Sequence, residues 1–296
     1  MWAIVDVRIV RMDDAEAMER IASGRGDGDV WWGAASATLQ RAAADSLLAP
    51  YRPSWVEAES NIVGVDAEDR WQVAAVSPFV VAFNRELTQL TRAPRDWVDL
   101  YHPRWRGEVA FLDPALSDNG TAFLTGMLEG SLADGTDEIE GFDRLLRLDA
   151  TQGMYASDEE EAVRALGTGD AVAAVLPLHA VERLRHEYAD WLHYRHPDSG
   201  APGLIRGVAM LFGAPQPETA MEFIEMVGGD VAAEVAVQTW WWPARGPLFE
   251  ARLPDDHFLP GEPLMWFGRP AAVVAQLSIW VERWEDEVRG KGRNFY

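Results

Sequence analysis

The sequence predicts an α/β protein divided into two lobes. The chain has 296 residues, which is near the upper limit for a single hydrophobic core. Near its start, apolar strand-like runs alternate with amphipathic helix-like runs, as in layered α/β folds. The extended stretch Trp71–Asn84 is interrupted by Pro78, which cannot donate to a sheet ladder. That proline predicts a sheet edge or a crossover between the lobes.

The first unit is predicted to contain two strands and two helices. Alternation of Val5, Val7 and Ile9 predicts a strand, and acidic residues begin the predicted helix Asp13–Ala22. A buried strand, Asp29–Trp32, precedes the predicted helix Ala37–Asp45. This order predicts a parallel sheet with helices on both faces.

The later elements follow from caps and periodicity. The Ser-Asp-Glu-Glu sequence at Ser157 is typical of a helix N-cap. The predicted strands are Glu108–Leu112, Ala171–Leu176 and Ile205–Phe212. The predicted helices are Asp96–Leu100, Thr121–Leu132, Ile139–Leu148, Ser157–Leu166, Pro217–Val227 and Ala271–Val288.

Composition excludes several functional classes. The net charge of −22 argues against nucleic acid and against anionic lipid as partners, because both require clustered positive charge. The chain has no cysteine, which excludes disulfides, thiolate metal sites and cysteine nucleophiles. No apolar run is long enough for direct insertion into a bilayer. Common hydrolase, nucleotide-binding and zinc-protease motifs are also missing, so an enzyme is not expected.

Several segments, in order, resemble one family. These are DVWWGAASATL with LLAPY, VVAFNREL, DWVDLYHPRWRGEVAFLDPALSDNGTAFL, GVAMLFGAPQPETAMEFIEMV and WWWPARG. Together they resemble the type II periplasmic binding proteins, in the branch that carries ferric iron and polyamines. The resemblance departs at the start, where the strand and helix that normally precede Val5–Ile9 are missing. A misplaced start or a truncated chain is the expectation, and Met1–Arg11 lacks a signal-peptide pattern.

The resemblance implies a solute-binding component of an ABC importer. Lobe one is expected to comprise residues 1–80 and 206–296, and lobe two residues 81–205, with crossovers near Ser77–Asn84 and Gly203–Gly207. The lobes are expected to close on a small ligand and then dock on a membrane permease. The resemblance further implies a periplasmic or extracytoplasmic monomer without a cofactor.

The candidate ligand residues lie at helix starts and in aromatic clusters. Free N–H groups at helix N-termini suit anions, although hydroxyls there also serve as caps of their own helices. Tryptophans can line a cleft or fill a core, and arginines can pair a ligand acid or remain on the surface. The candidates are Trp32, Ser36, Ser117, Asp118, Asn119, Gly120, Thr121, Tyr155, Arg206, Trp241, Trp242 and Arg245.

The chemistry of the ligand stays open at this point. Asp118 would repel an anion or receive an ammonium group, and a ligand with both amine and acid groups would satisfy both features. A ferric-ion carrier of the same fold is an alternative, yet the chain has no adjacent tyrosine pair, and His186, His193 and His196 form no convincing ligand set. A sensor or an enzyme that has recruited the fold is the other alternative.

Overall fold

Helices and strands alternate along the chain largely as the sequence predicts. The computed structural model describes residues 6–24, 28–56, 66–89, 92–133, 137–188, 191–243, 265–266 and 270–292. The helices are α1 Asp14–Ala22, α2 Ser36–Ala44, α3 Trp97–Leu100, α4 Asp118–Ala133, α5 Glu138–Asp149, α6 Glu159–Thr168, α7 Leu178–Tyr188, α8 Pro217–Val227, α9 Asp230–Gln238 and α10 Pro270–Arg283. The strands are β1 Val30–Ala35, β2 Leu48–Ala49, β3 Gln72–Asn84, β4 Val109–Leu112, β5 Gln152–Ala156, β6 Ala173–Pro177, β7 Leu192–Arg195, β8 Ala201–Leu211, β9 Trp242–Pro243 and β10 Met265–Trp266.

The long strand β3 belongs to both halves of the fold. Its first part, up to Pro78, pairs antiparallel with β8, where Pro78 lies opposite Gly203. From Phe79 onward it pairs antiparallel with β6, and from Val81 also with β7. The change of partner falls at the residue that lacks an N–H group. The predicted crossover at Pro78 is therefore confirmed, and the fold is that of a two-lobed α/β protein with mixed sheets.

The two halves differ in strand direction. On the far side of β6, strands β4 and β5 are parallel to their neighbours. On the other side, β1 and β2 both run antiparallel to β8. The parallel sheet predicted for the first unit is therefore wrong, because β1 pairs with a strand from the late part of the chain rather than with a sequential neighbour.

The strand predicted over Val5–Ile9 is also wrong for the part that the structure describes. Residues 6–13 form no ladder, and Val7, Ile9 and Val10 are exposed, Ile9 by 70%. Alternating β-branched residues favour an extended chain, but they form a strand only when a neighbour supplies hydrogen bonds. Within the described ranges, no strand pairs with this segment.

Two large apolar clusters lie on opposite faces of β3. Val80 and Ala82 belong to one cluster, whereas Phe79, Val81 and Phe83 belong to the other. This alternation is the ordinary two-residue period of a strand, and it shows that both faces of β3 are covered. The crossover strand is thus fixed by packing on both sides, as well as by its ladders.

Local caps set most helix starts. Asp13 caps α1 through the Glu16 N–H, and Asp96 forms a capping box with Asp99 at α3. At α6 the N-cap is Asp158 rather than the predicted Ser157, whose hydroxyl instead donates to Glu161. The sequence-based predictions did not include the described elements β2, β5, α7, β7, α9, β9 and β10.

The last helix, α10, packs against both α2 and α4. After α10 the chain forms a π-helical turn, Trp284–Val288, and then packs beside α5. Arg289 pairs with Asp113 at 2.6 Å, and the Gly292 N–H donates to Asp149. In the described part of the chain, no helix combines the length and apolar character that crossing a bilayer requires.

Gly207 provides a test of the crossover packing. A Cβ at this position would lie 2.4 Å from Leu39 Cδ1 and 2.9 Å from the Gln72 carbonyl oxygen. We expect Gly207→Ala to lower the free energy of unfolding by roughly 1–3 kcal/mol, since a backbone atom cannot move aside cheaply. Urea unfolding measures this change. Gly28→Ala is the control, because its Cβ would meet Leu211 at an ordinary 3.7 Å; equal losses in both variants would contradict the packing argument.

Candidate functional site

Arg206 lies at the centre of a group of polar side chains from separate elements. It sits in the middle of β8, opposite Ala35 of β1, and its side chain is 19% exposed. One guanidinium nitrogen, Nη2, donates to Asn119 Oδ1 at 2.9 Å, and Nη1 lies 3.7 Å from Asp14 Oδ2. One arginine therefore connects the first turn of α1 with the first turn of α4. We call Asp14, Asp118, Asn119, Glu159, His179, Arg206 and Trp241 the Arg206 group.

The side chain of Asp14, the first residue of α1, lies at the N-terminus of α2. Its Oδ2 accepts the Ala35 N–H at 2.8 Å, and its carboxylate also receives a hydrogen bond from Thr38. Ala35, the N-cap residue of α2, has no capping side chain of its own, so Asp14 caps this helix from a distant part of the chain. Burial raises the pKa of Asp14 above its usual range, against the lowering effects of the Ala35 N–H and Arg206. Ser36, the first residue of α2, is half-buried at this helix start.

Asn119 extends the contacts from Arg206 to α6. Its Nδ2 donates to Glu159 Oε1 at 2.6 Å, so the side chain bridges the starts of two helices. Its neighbour Asp118 is exposed and makes no hydrogen bond or ion pair with any residue that the structure describes. The charge of Asp118 is nevertheless close enough to raise the pKa of Asp14 further.

Ser117, Gly120 and Thr121, at the start of α4, contact the loop that precedes this helix. Ser117 Oγ accepts the Gly120 N–H at 3.3 Å, and Thr121 Oγ1 donates to the Pro114 carbonyl at 2.6 Å. A Cβ at Gly120 would lie 2.8 Å from the Asp113 carbonyl group, so glycine permits the close approach of helix and strand. Capping and packing account for these three residues, and they position Asp118 and Asn119.

His179 enters the group from the start of α7. Its N–H donates to Ser77 Oγ at 3.1 Å, and its ring stacks on Trp241 with centroids 3.9 Å apart. Nδ1 is buried and has no hydrogen-bond partner among the described residues. Burial, together with the charges of Arg206 and Arg183, lowers the pKa of His179 to about 3, so the imidazole is neutral at physiological pH.

The ligand residues predicted from the sequence do not include Asp14, Glu159 or His179. A signal for His179 was present, because it follows a predicted buried strand at a helix start, as Ser36 does. Asp14 appeared to be an ordinary first-turn acid of its own helix. Only the packing of α1 against α2 reveals that it caps a second helix.

Three candidate residues lie away from this group. Trp32 is 53% exposed and packs edge-on against Phe223 with centroids 5.8 Å apart, because its side chain lies on the α8 side of β1. Tyr155 donates its hydroxyl to Asp149 and packs its ring against Trp284, so its polar atom is already engaged. Trp242 is buried in the core and pairs with Val76. Core packing accounts for Trp242, and Arg245 lies outside the described residues.

The depressed pKa of His179 has a consequence for stability. The unfolded imidazole binds a proton near its ordinary pKa of 6.5, whereas the folded one stays neutral until about pH 3. The His179 contribution is complete above pH 6.5 and is lost progressively as the pH falls towards 3. We expect His179→Phe, which keeps a ring on Trp241, to lose less free energy of unfolding between pH 7.5 and pH 4 than the wild type. His102→Gln removes an exposed histidine as the control; an unchanged slope in His179→Phe would contradict the assignment.

The chain matches known proteins over most of its length. The family model described as bacterial extracellular solute-binding protein matches residues 34–271. A probable ABC transporter periplasmic-binding protein, y4fP of Sinorhizobium fredii, is 24% identical over 293 residues, covering 96% of this chain and 80% of that protein.

Solved structures share the fold. The ferric binding protein from Campylobacter jejuni superposes with a TM-score of 0.77 at 15% identity, covering 95% of this chain and 91% of that one. AfuA from Actinobacillus pleuropneumoniae, with fructose-6-phosphate bound, has a TM-score of 0.70 at 20% identity, covering 95% and 89%. At these identities the likeness establishes a two-lobed periplasmic-binding-protein fold. Because the family model spans most of the chain, this protein belongs to the bacterial extracellular solute-binding proteins of ABC transporters.

Proposed function

We propose that this protein captures a small organic solute between its lobes by hinge closure and delivers it to the permease of an ABC importer. The observation that carries the proposal is the Arg206 group, in which side chains from both sides of the crossover strands contact one another. When residues of both lobes contact the ligand, binding stabilises the closed form, because all of the contacts form only when the lobes meet. Such a protein works outside the cytoplasm, acts as a monomer and catalyses no reaction.

The proposed lobe boundaries explain the arrangement. With lobe one as residues 1–80 and 206–296, Asp14 and Ala35 lie in lobe one. Asn119 and Glu159 lie in lobe two, residues 81–205, while Arg206 is at the boundary in β8. The hydrogen bond from Arg206 to Asn119 then spans the cleft. His179 from lobe two and Trp241 from lobe one form a second contact across it.

An organic solute fits the described residues better than a ferric ion. Three tyrosine hydroxyls already donate to carboxylates within the fold, from Tyr51 to Glu225, from Tyr155 to Asp149 and from Tyr194 to Glu182. In the ranges that the structure describes, no three His, Asp or Glu side chains are grouped as a metal site. The described residues therefore offer no evident donor set for a ferric ion.

Solute capture is tested by native mass spectrometry of the freshly purified protein, followed by X-ray scattering. We expect a small molecule to dissociate from the protein in the gas phase. We also expect the radius of gyration of solute-stripped protein to fall when the eluted solute is returned, because closure makes the molecule more compact. A radius that stays constant at saturating solute would contradict hinge closure.

Asn119→Ala tests the contact across the cleft. The variant removes the acceptor for Arg206 and the donor for Glu159, so closure loses a charge-assisted hydrogen bond. We expect the dissociation constant of the eluted solute to rise by about tenfold or more, measured by calorimetry. The control is Gln216→Ala, since Gln216 is exposed and its side chain caps nothing. A weakening of equal size in both variants would place Asn119 outside the binding machinery.

A further inference from the structure

The two short strands β9 and β10 lie on opposite sides of the crossover. Strand β9 pairs with β3 at Ala75 and Val76, which precede Pro78 and lie in lobe one. Strand β10 pairs with β8 at Ala201 and Pro202, which precede the residue opposite Pro78 and lie in lobe two. With the lobe boundaries of the proposed function, the chain therefore returns to lobe two between β9 and β10.

Helix α4 of lobe two packs closely on β10. A Cβ at Gly126 would lie 2.5 Å from Pro202 Cβ, and one at Gly130 would lie 2.7 Å from Trp266 Cε3. Pro202 and Trp266 are partners in the ladder between β8 and β10. Because the two glycines are four residues apart, they share one face of the helix and let both strands approach it. Strand β10 is thus packed against lobe two as well as paired with it.

Buried acids anchor the end of the chain to lobe two. Arg289 pairs at 2.6 Å with Asp113, the residue that follows β4, and Asp113 is buried. The buried Asp149, the last residue of α5, accepts the Gly290 N–H at 2.9 Å and the Gly292 N–H at 2.8 Å. A buried carboxylate that loses such partners costs free energy, so these contacts hold the segment after α10 in place. Strand β4 and helix α5 both belong to lobe two.

Aromatic packing gives the same assignment for α10. Trp280 of α10 and Trp284, which follows the helix, are buried in the apolar cluster that contains Phe142 of α5. The ring of Trp284 packs edge-on against Tyr155 of β5, with centroids 5.0 Å apart. The guanidinium of Arg283, the last residue of α10, lies 4.0 Å from the centroid of the Phe142 ring. The second half of α10 is therefore held by lobe two.

One face of α10 also contacts lobe one, because α10 packs against α2. Leu277 and Val281 lie four residues apart on α10, and both pack against the cluster that contains Trp280. Ala37, in the first turn of α2, packs against the same cluster. Helix α2 is the lobe-one helix that Asp14 caps beside Arg206. Helix α10 thus contacts the helix whose start belongs to the Arg206 group.

We infer that residues 265–292 belong to lobe two and that α10 forms a third connection between the lobes through its contact with α2. This inference rests on the proposed function and moves one of its boundaries. Lobe one then ends before Met265, while Asp14, Arg206 and Trp241 keep their places. Closure moves α2 along a helix that is fixed to lobe two, as packed helices do in shear motions. The contact between α10 and α2 thereby contributes to the balance between the open and closed forms.

Distances between pairs of spin labels test which lobe α10 follows. The chain has no cysteine, so labels attach only to introduced ones. The exposed positions are Ile139→Cys on α5 in lobe two, Met226→Cys on α8 in lobe one, and Ile279→Cys on α10. Pulsed electron paramagnetic resonance gives the distances in the full-length chain as purified. The same pairs are then measured after unfolding and refolding have removed the solute, in a chain that also carries Asn119→Ala and lacks the hydrogen bond across the cleft.

We expect the distances 139–226 and 226–279 to differ by several ångströms between the two samples, and the distance 139–279 to stay the same. The control pair is Val98→Cys with Ile139→Cys, because both exposed positions lie in lobe two and their distance is fixed. A 139–279 distance that changes more than this control overturns the inference, because α10 is then not fixed to lobe two. If the 139–226 distance changes in that case, hinge closure stands and only the third connection fails. A constant 139–226 distance contradicts closure itself, and the inference fails with it.

Discussion

The antiparallel pairing of β3 with β8 is the constraint on which the rest of the structure depends. Strand β3 changes partners at Pro78, opposite Gly203, and thereby joins the strands that pair with β8 to those that pair with β6. Ser77 and Arg206 stand on these strands, so their positions follow from backbone ladders rather than from loops. Residues fixed in this way hold the same place in the sheet whichever neighbouring helix they contact.

The polar contacts around Arg206 arise because several helices begin close to these strands. Helices α2, α4, α6 and α7 all begin there, and each start presents unsatisfied N–H groups. The protein meets this demand with its own carboxylates, including one supplied by α1 from outside the helix that it caps. Arg206 contacts Asp14 and Asn119, and Asn119 in turn donates to Glu159. The polar side chains at these helix starts are thus held in place by one another.

The fold alone does not specify the ligand. Of the structural relatives with the same architecture, one is a ferric binding protein and another has fructose-6-phosphate bound. The same two-lobed fold therefore serves different solutes, and the fold by itself does not name the solute of this chain. Among the described residues of this chain, the side chains near Arg206 include Asp118, a neutral His179 and the indole of Trp241.

Sequence by itself determined the elements whose causes are local. Asp96 begins α3 through a capping box, and Pro78 marks the change of partner along β3. Helix α8 has the bounds that its periodicity predicts. In each case the cause lies in residues that are neighbours along the chain. The order of motifs also identified the family. Tertiary structure decided which side chains meet. Trp32 lies on Phe223, and Asp14 caps a helix whose N-cap, Ala35, is 21 residues further along the chain. No described strand pairs with residues 6–9 of the predicted first strand. Such contacts join residues distant along the chain, and no local pattern records them.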